Sequence, residues 1–160
     1  MNNSYATDKE KIAFKQHLKT SCLVIIEERI ATIRKAILDS QESLDREEKS
    51  SVGDKYEVGR AMGHLQQEMH SNQLEEAQRE LALVQALDDA TILTEVGTGA
   101  VVAANGQWLF IGVGLGSATV EGQKVFLLSP IASLAVAMMG KKAGGQFTFN
   151  GRLTTVEMVF

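Results

Sequence analysis

The stretch LVIIEERIATIRKAILDSQESL, residues 23 to 44, decides the fold. Its apolar positions Leu23, Ile26, Ile30, Ile33, Ile37 and Leu44, with Ser40 filling one place, recur at alternating steps of three and four. That rhythm is a heptad seam, the pattern by which one long helix packs along another. Neither Pro nor Gly interrupts residues 8 to 49, so the spacing predicts one helix of that extent. About 40 residues at 1.5 Å rise make a rod of about 60 Å, too long to be covered by a compact domain of this chain.

The rhythm stops at the polar stretch KSSVGD, residues 49 to 54, and resumes with Met62, Leu65, Met69, Leu74, Ala77, Leu81, Val84 and Asp88. A second helix is predicted from about 55 to 87. The longer step from Met69 to Leu74 reads as a shift in the seam. Two long helices joined by a short polar turn most simply fold back as an antiparallel hairpin, which makes the chain a monomer. Pairing between two copies is the competing solution.

Beyond residue 90 the pattern changes to short apolar runs punctuated by turns. Asn105-Gly106, Glu121-Gly122 and Asn150-Gly151 each precede or separate such runs. Asn-Gly is the strongest short hairpin signal, because both central residues of a type I′ turn need positive φ. Residues 130–139 carry no turn residue after Pro130 and are followed by Gly140, the start and stop signals of a short helix. The expected fold class is therefore α+β. A coiled-coil hairpin occupies residues 1–90, with its tip near 45–57, and a small antiparallel β domain with one short helix occupies 91–160.

Composition narrows the function. A chain of 160 residues accommodates one or two domains. Residues 1–90 hold 12 Lys and Arg against 17 Asp and Glu, net −5, whereas residues 91–160 hold 4 against 3, net +1. Such an acidic protein is a poor autonomous binder of nucleic acid, whose backbone is held by clustered cations. A protein partner is expected instead. No apolar run is long enough to span a bilayer, and the first residues lack the apolar core of a signal peptide. The single Cys22 cannot pair within the chain, and a cytoplasmic address fits these features.

Several motifs yield to plain structural explanations. Gly112-x-Gly114-x-Gly116 has Ser117 where a dinucleotide loop needs its third Gly, so a bulge or a close backbone approach is expected. His17, His64 and His70 show no zinc-ligand spacing, and Cys22 reads as core filler. The acidic turn is different. Residues 39–57 hold seven carboxylates against Arg46, Lys49 and Lys55, net −4. Within them Asp54 and Glu57 have the spacing of a capping box, in which each side chain satisfies a backbone N–H at a helix start. The same pair, at the end of a rod, is also placed to reach a bound cation. Gly59 and Gly63 each cost a helix interior about 1 kcal/mol, which predicts loose first turns in helix two.

The order of Gly53-Asp54-x-x-Glu57 at a hairpin turn, then Ser129-Pro130-Ile131 and Gly140-Lys141-Lys142 in a β-rich second half, resembles the Gre transcript-cleavage factors of bacterial RNA polymerase. The resemblance spans most of the chain. It implies a transcription elongation factor that is not itself an enzyme and has no cofactor of its own. The hairpin would enter the polymerase secondary channel, where Asp54 and Glu57 would help hold Mg²⁺ at the polymerase active site. The polymerase's own hydrolysis of backtracked RNA would thereby be promoted, with only indirect contact to the nascent RNA. The resemblance further implies an FKBP-like second domain, docking on polymerase through Ser129, Pro130, Ile131, Gly140, Lys141 and Lys142. Val58 stands where the family usually has Asn. Two alternatives stay open: a regulator that occupies the channel without stimulating cleavage, and a coiled-coil adaptor or chaperone-like protein unrelated to transcription.

Overall fold

The computed structural model describes residues 5–49 and 54–160, with side chains at 54–56 excepted. Two long helices, α1 (Asp8–Lys49) and α2 (Asp54–Ala86), precede β1 (Val101–Ala104), β2 (Gln107–Ile111), β3 (Gly116–Val120) and β4 (Gln123–Leu128). A short α3 (Ser133–Met138) and the strands β5 (Gln146–Phe149) and β6 (Arg152–Val159) complete the chain. The fold class is α+β. No helix among the described residues is long and apolar enough to cross a membrane.

By compactness the chain divides into two units, one of Met1–Ile25 with Ala82–Phe160 and the other Ile26–Leu81. The division thus runs across both long helices. In the first unit, α1 begins with a capping box that the sequence reading overlooked. Thr7 Oγ1 accepts the Glu10 N–H at 3.3 Å, and Glu10 Oε2 accepts the Thr7 N–H at 2.9 Å. These bonds to Thr7 hold the Glu10 carboxyl below its usual range. At its far end α2 has no basic residue in its last turn. Lys19 of α1 supplies the charge, donating to the Leu87 carbonyl at 2.7 Å, where cations suit the negative end of a helix.

The six strands form one sheet in the order β3-β4-β2-β1-β6-β5. It is mixed rather than antiparallel, which corrects the expectation. β2 and β4 pair parallel, Trp108 beside Val125 through Ile111 beside Leu128, while all other pairs are antiparallel. After β2 the chain runs out to the edge as β3, and the Glu121-Gly122 turn returns β4 into the place beside β2. A hairpin signal identifies which strands are joined, not where the pair inserts. All three two-residue turns have positive φ at both positions: Asn105 49° with Gly106 73°, Glu121 50° with Gly122 78°, and Asn150 48° with Gly151 74°. These are the type I′ turns that match strand twist.

Strands β1 and β2 are buried on both faces. One face, with Val102, Ala104, Leu109, Ile111 and Val156, packs on Ala135 and Met138 of α3. The other carries Trp108 and the fully buried Phe160 into a ring cluster with Tyr5 and Phe14, all centroid separations lying between 4.6 and 6.3 Å. Tyr5 and Phe14 therefore belong to the core of the sheet unit. Gly112 serves a close approach, since a Cβ there would lie 2.9 Å from Leu87 Cδ1.

Within Ile26–Leu81 the helices run antiparallel, as cross-contacts between Arg29 and Glu80 and between Gln41 and Gln67 require. The α1 side is the seam read from sequence: Ile26, Ile30, Ile33, Ile37, Ser40 and Leu44 are all buried or half-buried. The α2 side differs. Gly63, Gln67, His70, Leu74, Ala77 and Leu81 form an unbroken heptad of sheltered positions, whereas Met62, Leu65 and Met69 are 63%, 61% and 49% exposed. The expected seam shift is thus absent among the described residues. Gly63 explains why: a Cβ there would overlap the Leu44 side chain, so the seam at this level is built from a small residue facing a large one.

Candidate functional site

Two groups of residues carry the functional expectations, and each lies within one compact unit. The first is the start of α2. The turn residues 50–53, including Gly53, lie outside the described residues, as does the side chain of Asp54, whose backbone opens α2. The proposed Asp54 to Glu57 cap therefore falls outside them too. Glu57 is exposed in the first turn of α2, and Val58 beside it is 65% exposed. Gly59 faces α1, where a Cβ would meet Glu47 Oε2 at 3.3 Å. Glycine here lets a carboxylate of α1 lie against the backbone of α2. Among the described residues no group of three or more His, Cys, Asp or Glu could hold a metal ion.

The second group brackets α3 in the sheet unit. The predicted helix over 130–139 is shorter, Ser133–Met138, because Ser129 and Pro130 are spent on the turn before it. The Ser129 carbonyl accepts the Ala132 N–H at 3.0 Å, and its hydroxyl oxygen accepts the Ile131 N–H at 3.4 Å. That turn leaves Ile131 86% exposed. After the helix, Gly140 takes φ of 73°, a left-handed stop that glycine adopts without strain. The following backbone is tied to the strand-like segment at 95–96. Gly140 N–H donates to the Val96 carbonyl and Val96 N–H to the Lys141 carbonyl, both at 2.8 Å, and Lys142 pairs with Glu95. Lys141 and Lys142 are exposed on this anchored backbone. Val136 and Met139, also exposed, add apolar surface to α3. The sequence reading did not single them out, although the run SLAVAMMG, residues 133–140, has more apolar residues than one face of a short helix can bury.

A third arrangement escaped the sequence. Lys15 is almost wholly buried and donates to the Thr91 carbonyl at 2.7 Å. Burial pulls its ammonium below the usual lysine range, partly offset by Asp88 and Asp89. Asp88 in turn accepts the Ala90 and Thr91 N–H groups at 2.9 and 3.1 Å, and the Thr91 hydroxyl first and the Ala90 N–H second hold its carboxyl low. The cluster fixes the exit from α2.

No protein-family model, curated protein or solved structure matches this chain.

Proposed function

We propose that the chain is a transcription elongation factor of the Gre type, acting on bacterial RNA polymerase through its secondary channel. The observation that carries this reading is the pair of antiparallel helices whose connecting end is acidic and presents Glu57 to solvent. On this reading the helices are a coiled coil and the sheet unit is FKBP-like. Ser129, Pro130, Ile131, Gly140, Lys141 and Lys142 then form the docking surface, with Val136 and Met139 beside them. Exposed Ile131 and two lysines on hydrogen-bonded backbone support that role, since an apolar anchor beside fixed charges suits a protein interface.

Asp54 and Glu57 would assist Mg²⁺ at the polymerase active site. A Mg²⁺ ion keeps several waters and takes one or two carboxylates from any one element. An exposed Glu57 fits a group that completes another protein's site. The ion would orient and activate the attacking water. The chain contributes carboxylate oxygens and positioning, not a catalytic centre of its own.

The test stalls cognate RNA polymerase in a backtracked complex and compares RNA release with wild type and with Asp54→Ala plus Glu57→Ala. Loss of cleavage in the double variant is expected; equal cleavage sinks the assignment. A second reading, channel occupancy without cleavage, draws support from Val58, an exposed apolar residue directly after Glu57. It requires the double variant to compete undiminished with a cleaving factor.

A further inference from the structure

The outward stripe on α2 was mistaken for seam because it has seam spacing. Val58, Met62, Leu65 and Met69 follow one another at steps of four, three and four and are all largely exposed. A heptad stripe on the outside of a two-helix unit is the half-site of another helix. Facing it across a groove of about 1110 Å³ are Ala36, Ser40 and Ser43 of α1. Small side chains on one wall and methionines on the other let a third backbone approach closely, and the methionines adapt to its side chains.

Charge selects the occupant. Asp39, paired with Lys35 at 3.1 Å, and Glu47 line this groove, and Glu68 and Glu76 line its continuation along α2. Among the described residues no Lys or Arg lines either part; Arg60 instead borders a separate depression with Gln41 and Asp45. A second copy of this chain would set these same carboxylates against one another in a self-complementary contact. A basic partner would not.

We infer that the Met62, Leu65 and Met69 groove of the Ile26–Leu81 unit docks a basic amphipathic helix of a partner protein, completing a three-helix bundle. The apolar ridge of that helix seats on the methionines, and its flanking Lys or Arg side chains meet Glu68 and Glu76. From Val58 to Glu76 the surface runs about 27 Å, the length of a helix of about 18 residues. The inference stands whether or not the partner is a polymerase.

The full chain is titrated against a fluorescein-labelled peptide of about 18 residues with leucine at its a and d positions and lysine on the flanks. A matched peptide carries glutamate in place of every lysine. Saturable binding is expected for the lysine peptide, at least about tenfold tighter than for the glutamate peptide. Met62→Ser with Met69→Ser, which leaves the charge unchanged, is expected to weaken the lysine peptide by at least about tenfold with an unchanged circular dichroism spectrum. Absence of binding overturns the inference. So does equal binding by the double variant, which would mark bare charge attraction. Self-association of the wild-type chain in sedimentation, abolished by the same substitutions, would assign the groove to a second copy and overturn it as well.

Discussion

Leu44 of α1 occupies the space into which a side chain at Gly63 of α2 would project. The glycine is thereby explained by what faces it: the helix-propensity cost of about 1 kcal/mol is exchanged for a half-buried leucine packed against the glycine. Gly63→Leu is expected to destabilise the chain by about 1–3 kcal/mol through overpacking. Adding Leu44→Ala should return part of that loss. Urea unfolding of the two single variants and the double gives the coupling directly; additive effects would break the proposed pairing.

Phe160 is fully buried, and its ring lies 5.9 Å from Tyr5 and 6.3 Å from both Phe14 and Trp108. Phe160→Ala should cost about 3–5 kcal/mol. Trp108 emission should shift to the red in the folded variant as water reaches the ring. A stability change below about 1 kcal/mol would show that the cluster can close over the gap.

Burial pushes the Cys22 thiol up from 9.0 to about 11. Folding therefore favours the protonated form, and the unfolded chain releases its proton first. The contribution of this group to stability is complete below pH 9 and is lost as pH rises toward 11. The loss is on the order of 2 kcal/mol. Cys22→Ala should be less stable at neutral pH, because it leaves a small cavity, yet it should lose less on going to alkaline pH. Parallel stability curves for the two proteins between neutral and alkaline pH would refute the shift.

Lys15 works in the opposite direction. Its ammonium is held below 10.5, chiefly by burial, so the unfolded chain binds more protons in the window just under that value. Stability due to this group rises with pH there. Lys15→Met should remove that upward slope. Comparing Lys15→Met with wild type in urea at pH about 8 and about 10 isolates the term from Cys22, which both proteins share.

Glu121 combines a left-handed φ of 50° with a contact to His17 Nδ1 at 2.7 Å. Its carboxylate also reinforces Tyr5, whose hydroxyl is pushed up to about 12 by burial first and by Glu121 second. Glu121→Gln should lower the Tyr5 value only in part, measurable by ultraviolet titration. Glu121→Asn should sit near wild type in stability, because Asn suits the turn by about 1 kcal/mol while an exposed contact of up to about 1 kcal/mol is lost. Glu121→Ala loses both and should be the least stable of the three.

The parts legible in sequence were those set by local chemistry. Absence of Gly and Pro fixed the extent of α1, and Asn105-Gly106 and Asn150-Gly151 fixed two hairpins. What escaped depended on partners far away in the chain. Tyr5 and Phe14 looked like an unremarkable helix start because their contacts, Trp108 and Phe160, come about a hundred residues later or more. The parallel pairing of β2 with β4 is invisible to turn signals. On α2, hydrophobicity pointed to Met62, Leu65 and Met69, yet close approach at Gly63 and a polar layer of Gln41 with Gln67, bonded at 2.7 Å, put the larger apolar residues outside. Of the candidate site, Glu57 stands out by its spacing from Asp54 and the lysines only through the family resemblance, while the backbone bonds at Val96 explain why the backbone of Lys141 and Lys142 is held in place.

The aromatic ring contact between Tyr5 and Phe160 has a consequence in time. The sheet unit draws its first and last secured side chains from opposite ends of the chain, so during synthesis the start of α1 waits, unburied, until β6 has emerged. Contacts of such long sequence separation are slow to form, and a fragment cut at residue 90 would carry β1 and β2 with Trp108 stripped of Tyr5 and Phe14. Completion of the ring cluster waits on Phe160, and premature termination within β6 should leave a sticky intermediate rather than a working half.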